Sequence, residues 1–224
     1  MPAPISADGD HRGFILANTK LMRPPLVPEI QLHLAEESLP LWEKTEEQLG
    51  EMNVPPPFWA FAWAGGQALS RYILDHHDCA ARKRVIDLGA GSGLCAIAAA
   101  MAGASDILAA DVDPFAGHAV ALNADANGVT VRATADDVLE QETGGADLVL
   151  VGDLFYEREL SERVMTFAAE QCRAGAEVLI GDPRRSFFPV DRFEQVAEYS
   201  VPVTRALEDS EIKRTAVWRL SDVN

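Results

Sequence analysis

The segment 147-DLVLVGDLFYE-157 carries four apolar residues in a row, Leu148 to Val151, followed by Asp153, Phe155 and Tyr156. An unbroken apolar run of this length reads as a strand buried on both faces, which puts the carboxylate and the two rings at its carboxyl end. In an open α/β sheet, ligands collect beyond the carboxyl ends of the strands. A carboxylate there accepts hydrogen bonds from a ligand donor, and aromatic faces hold a chain beside it.

Two further segments end in the same kind of place. In 85-VIDLGAGSG-93 a buried strand runs into three alternate glycines, Gly89, Gly91 and Gly93, ahead of a helix. Glycines let the backbone turn tightly and approach a ligand closely, and the helix amino terminus offers unpaired N–H groups. In 109-AADVDP-114, Asp111 stands at the end of the next strand, where a carboxylate accepts hydrogen bonds from both hydroxyls of a ribose. Asp113 before Pro114 reads as a helix N-cap with proline in the first turn. Asp111 serves a nicotinamide dinucleotide equally well. The glycines point elsewhere, because a GxGxxG turn would have glycine where Leu94 stands, and Asp87, two residues before Gly89, is foreign to that turn.

The elements that must position these residues alternate regularly. A helix is predicted from Ala68 to His76, then strand 84–88, helix 94–103, strand 106–111, helix 114–128, strand 129–133, strand 147–152, helix 157–172 and strand 177–181. Such alternation calls for a parallel sheet covered on both sides. After a predicted helix over 189–200, the runs 201-VPVTRAL-207 and 212-IKRTAVWRL-220 are separated by four polar residues and pair as an antiparallel hairpin. Upstream, residues 1–28 read as a loose arm, 29-EIQLHL-34 as a short strand with one wet face, and 38–50 as an amphipathic helix closed by Gly50. The segment 55-PPPFWAFAWAGGQ-67 is too rich in Pro and Gly for the interior of an element, yet too aromatic for an idle linker.

Composition narrows the function. With 224 residues and 48% hydrophobic content the chain can bury a full core. A net charge of −16 argues against nucleic-acid binding, which needs clustered Lys and Arg, and favours a basic protein partner. Cys79, Cys95 and Cys172 have no metal spacing and read as reduced thiols. The five histidines form no ligand set. No apolar run reaches the length of a membrane span, and the first thirty residues lack signal-peptide or presequence character, so a cytoplasmic monomer is the expectation.

The DxGxGxG pattern resembles the first motif of seven-strand methyltransferases that use S-adenosyl-L-methionine, and the terminal hairpin resembles the insertion that sets those enzymes apart from a plain Rossmann fold. GDLFY resembles the D-x-x-[FY] signature of a group of protein lysine methyltransferases. Within that group the sequence is similar to the lysine methyltransferases of the electron transfer flavoprotein β subunit. The likeness runs through 28-PEIQLHL-34, 58-FWAFAWAGGQALSRYIL-74, 85-VIDLGAGSG-93, 111-DVDPFAG-117, 152-GDLFYE-157 and 180-IGDPRR-185 to the hairpin holding Val217 and Trp218.

That resemblance implies a doubly wound, Rossmann-like seven-strand α/β sheet of class I methyltransferase type with a C-terminal antiparallel hairpin. Residues 55–224 would form the catalytic domain and 1–54 an extension. It further implies a donor site at Asp87, Gly89, Gly91, Gly93 and Asp111, with Asp137 on the adenine amino group. Trp59 and Trp63 would be walls near donor or substrate, and Gln67 would lie near the methionine end of the donor. Asp153 would orient the attacking amine, with Tyr156 and Phe155 shaping a lysine channel. A lysine ammonium has no lone pair, and its neutral form at pH 7.4 is scarce by about three pKa units, or about 4 kcal/mol, so the site must favour the uncharged amine. The expected partner is the electron transfer flavoprotein β subunit. A ribosomal protein lysine, a small molecule, a non-catalytic donor-binding module and a nicotinamide oxidoreductase stand as the competing readings.

Overall fold

One run of branched apolar residues, Leu148 to Val151, dictates the centre of the molecule. Leu148, Val149, Leu150 and Val151 are all fully buried, with Leu148 and Leu150 facing one hydrophobic cluster and Val149 and Val151 the opposite one. A strand with both faces covered belongs in the middle of a sheet, and there it lies.

The structure is a computed structural model that describes residues 10–35, 56–141, 145–203 and 211–221. Its elements are α1 (His11–Asn18), β1 (Lys20–Met22), β2 (Leu32–Leu34), α2 (Ala64–Asp75), β3 (Arg84–Leu88), α3 (Leu94–Met101), β4 (Asp106–Ala110), α4 (Pro114–Asn127), β5 (Arg132–Thr134), β6 (Leu148–Gly152), α5 (Arg158–Arg173), β7 (Glu177–Asp182), β8 (Phe193–Pro202) and β9 (Ile212–Leu220). Seven strands form one sheet in the order β5-β4-β3-β6-β7-β9-β8, parallel through β7. The pairs β7–β9 and β8–β9 are antiparallel, so the expected terminal hairpin is present. Helices α2 and α3 cover one face of the sheet and α5 the other. Strands β3 and β6 are neighbours with β4 beyond β3, so the ends of the Asp111, glycine-rich and Asp153 segments open onto one edge.

Several boundaries differ from the expectation. The stretch 193–202 is strand, not helix, because nine of its ten residues pair with β9 along the sheet edge, and that ladder overrides a charged, helix-compatible composition. The strand expected at 129–133 is Arg132–Thr134. Residues 10–28 are no loose arm. They hold α1, capped by the Asp10 side chain, and β1, which pairs with β2. The chain joins the main core through Val27 and, just beyond, Ile30 and Leu32, and Asn123 and Asn127 of α4 accept hydrogen bonds from the backbone of His33 and Gln31. The helix predicted over 38–50 lies outside the described residues.

The glycine-rich WAGGQ segment is helical: α2 begins at Ala64 and not at Ala68. Its glycines are there for contact. A Cβ on Gly65 would stand 2.1 Å from the Gly181 carbonyl oxygen, and one on Gly181 would stand 2.0 Å from that of Gly65. Only bare backbone lets the start of α2 press onto the carboxyl ends of β6 and β7.

Candidate active site

A cavity of about 470 Å³ opens at the carboxyl edge of the parallel strands. That volume is ordinary for a cofactor-sized ligand. The glycine turn after β3, Asp111, Asp136 and Asp137 line one part of it; Phe58, Trp63, Asp153, Tyr156 and Arg185 line another.

At the first end the backbone itself lines the cavity. Gly89, Gly91 and Gly93 have φ of 64°, 51° and 79°, the left-handed region that side-chain-bearing residues avoid. This winding turns the Gly91 N–H toward Asp111 Oδ2, at 2.8 Å, while Asp111 Oδ1 accepts from Asp113 N at 2.9 Å. Two backbone donors fix the carboxylate and leave its remaining lone pairs for a ligand. Burial pushes the Asp111 pKa up, and these two hydrogen bonds oppose the shift. Asp113 caps α4 through Phe115 N at 2.8 Å with Pro114 in the first turn, as its spacing implied.

Asp87 is buried on β3 and accepts from Ala96 N in the first turn of α3 at 2.9 Å, tying the strand to the helix that follows the glycines. Burial raises its pKa to about 7. Asp137 lines the cavity, but its carboxylate is engaged by Leu139 N and by Arg163, the latter at 2.6 Å.

At the second end Asp153 follows β6 with a φ of 60°, a left-handed conformation that aspartate tolerates better than most residues. Its backbone N–H donates to Gly181 O. The side chain reaches across: Oδ2 accepts from Gly66 N at 2.9 Å, and Oδ1 receives both Nε (3.0 Å) and a terminal nitrogen (2.6 Å) of the Arg185 guanidinium. Asp153 does not cap α5, whose N-cap is Glu157 without a side-chain bond. Arg185 lies over the Trp63 ring at 5.7 Å, and its backbone N–H donates to Asp182 Oδ1 at 2.7 Å. Asp182 is fully buried, and its pKa is pushed up to about 7, first by burial and then by the Asp153 charge.

The aromatic wall forms the mouth. Phe58 packs against Tyr156 at 5.7 Å and Trp63 at 5.9 Å, and Phe58 and Tyr156 stay partly exposed. Trp59 stacks on Phe115 at 5.8 Å and lines the cavity from beneath.

Three expected positions lie outside the lining; Gly93 is one, its left-handed backbone serving as the N-cap of α3. Phe155 is fully buried in the cluster beneath the sheet, edge-on to Phe188, and takes no part in the cavity wall. Both rings sit in the turn between β6 and α5, and the path of that turn sends Phe155 into the cluster and Tyr156 to the cavity. Gln67 is also absent from the lining. Its amide donates to Ala62 O at 2.7 Å and accepts from Leu26 N, fastening the N-terminal segment to α2, and the neighbouring Gly66 meets the cavity instead. Phe58, Asp182 and Arg185 had been assigned no role. The signal for the last two was their position at the end of β7, the strand beside β6.

The family described as Ribosomal protein L11 methyltransferase (PrmA) matches residues 67–155. Among curated proteins, the electron transfer flavoprotein beta subunit lysine methyltransferase of Xenopus laevis is 40% identical over 213 residues, covering 92% of this chain and 85% of that protein. The Homo sapiens protein of the same name is 37% identical over 219 residues, covering 94% and 82%. Among solved structures, the magnesium protoporphyrin IX methyltransferase of Synechocystis PCC 6803 with bound SAM shares the fold, with a TM-score of 0.53, 14% identity and coverage of 84% of this chain and 87% of that one. The similarity to the curated relatives extends over most of both chains, so the chain belongs to the electron transfer flavoprotein beta subunit lysine methyltransferase family.

Proposed function

We propose that the protein transfers methyl groups from S-adenosyl-L-methionine to lysine side chains of the electron transfer flavoprotein β subunit. The observation that carries this reading is the pairing, across one cavity, of a hydroxyl-accepting carboxylate at the glycine turn with a second carboxylate behind an aromatic mouth.

The first end fits the donor. Asp111 retains acceptor capacity for a ribose, and the glycine turn lets the ligand lie against backbone. Asp111, Gly89 and Gly91 would hold the nucleoside, with the 136–139 segment along the adenine. When bound, the donor supplies an electrophilic methyl carbon: the amine lone pair forms the N–C bond while the C–S electrons return to sulfur, and the new ammonium releases a proton to solvent.

At the second end the chain's task is to present an uncharged amine in line. Phe58, Trp63 and Tyr156 enclose the aliphatic stem of the lysine and strip water from it, which lowers the amine pKa. Asp153 accepts an N–H of the amine and so directs its lone pair into the cavity; alignment of this kind supplies much of the catalysis of such transfers. As part of the same proposal the protein acts as a cytoplasmic monomer on a protein acceptor, and its charge of −16 supports attraction to a lysine-rich surface.

Incubating the purified protein with labelled S-adenosyl-L-methionine and recombinant electron transfer flavoprotein β subunit tests the reading; labelled lysine in that subunit is expected, and its absence would refute the substrate. A second acceptor, a ribosomal protein amine, has specific support in the match over residues 67–155. Purified ribosomal proteins in parallel reactions separate the two.

A further inference from the structure

A free carboxylate beside a lysine works against methyl transfer. The opposite charge stabilises the ammonium form, which has no lone pair. The cavity holds just such a carboxylate, but Asp153 is not alone. Two guanidinium nitrogens converge on Oδ1, and Gly66 N–H holds Oδ2. An arginine does not lose its proton in a protein, so this compensation holds at every working pH.

We propose that Arg185 is a positioning residue for the transfer: by holding Asp153 in a neutral ion pair, it lets that carboxylate orient an uncharged lysine amine without stabilising the ammonium. This inference rests on the lysine reading above. Two features support it. Arg185 is pinned at its backbone by Asp182 and at its head by the face of Trp63, so its charge is built into the wall. The pair itself is well shielded, with side-chain exposures of 19% and 9%, so solvent screens it little.

The other titratable groups facing the pair are few among the described residues. Asp182 comes from β7, Cys95 from α3, Tyr156 and Glu157 from the segment after β6, and Asp111 stands across the cavity. Burial keeps Cys95 and Tyr156 protonated through neutral pH. None of these groups is a cation. Among the described residues Arg185 supplies the positive charge that contacts Asp153 at this wall.

The test is the pH dependence of kcat/KM from pH 6.5 to 10 with labelled S-adenosyl-L-methionine and recombinant electron transfer flavoprotein β subunit. For Arg185→Met the rising limb should move alkaline by about one pH unit, so that a roughly tenfold loss at pH 7.5 largely recovers at pH 9.5. Arg185→Lys should keep the wild-type limb at neutral pH. Asp153→Asn, which leaves the guanidinium uncompensated, should lower the rate yet move the limb toward acid, and it decides the matter should Arg185→Met not fold. A loss equal at every pH in Arg185→Met, or an unmoved or alkaline limb in Asp153→Asn, would overturn the proposal while leaving the lysine reading intact. Failure of the wild-type protein to label the subunit at any pH would remove both.

Discussion

The two carboxylates at the ends of the cavity are equally fixed and differently balanced. Asp111 is held by two backbone N–H groups and keeps its whole charge. Asp153 is held by one backbone N–H and a guanidinium, and its charge is cancelled. A carboxylate meant to bind neutral hydroxyls gains from remaining an anion, because charge-assisted hydrogen bonds are the stronger ones. One meant to meet an amine that must shed its proton gains from neutrality. The same residue type thus does opposite work at the two ends, and the difference lies in what holds it.

The contrast is most open to attack at Asp153. Asp153→Ala should lose methyl transfer on the order of 10³-fold while donor affinity, read by calorimetry, changes little. Equal loss of both would place Asp153 at the donor end. Asp111→Asn is the converse, expected to weaken donor binding about 10- to 100-fold, the worth of a charge-assisted hydrogen bond or two, with much of kcat recovered at saturating donor. A collapse of kcat with unchanged affinity would erase the distinction.

The buried acids behind each end sharpen it through pH. Asp87 and Asp182 both have folded pKa values near 7, above the unfolded value of about 3.9. The native state therefore binds more protons than the unfolded chain between these values. Their contribution to stability is fully present below about pH 4 and is lost as pH rises through about 7. Asp182→Asn keeps an acceptor for the Arg185 N–H and removes the titration, so the fall in melting temperature between pH 5 and pH 7.5 should shrink by several degrees. An undiminished fall would show that Asp182 is ionised in the folded protein. The smallest effect is expected at the mouth: Phe58→Leu, at a ring 36% exposed, should raise KM for the protein acceptor about three- to tenfold with kcat nearly unchanged, because only uniform binding is lost.

The amino-acid order carried much of this arrangement in readable form. The run 148–151, short and bounded by Asp147 and Gly152, marked a central strand because a strand covered on both faces is apolar at successive residues. The glycines at 89, 91 and 93 marked a left-handed turn because other residues are strained there, and Asp113-Pro114 marked a helix start by its capping chemistry. What periodicity could not show was pairing. The strand β8 reads as helix until β9 lies beside it, and residues 10–28 read as loose until α4 offers Asn123 and Asn127 to the segment that follows them. Phe155 and Tyr156 are adjacent and both aromatic; only the direction of the chain after β6 sent one into the core and the other to the mouth. The meeting of Asp153 and Arg185, 32 residues apart, was likewise decided by the parallel pairing of β6 with β7 and by glycines at 65 and 181 that let α2 close over both. Local sequence fixes which conformations a segment can adopt, because sterics and capping act over a few residues. Which charges compensate one another is set across distances that only the packed sheet defines.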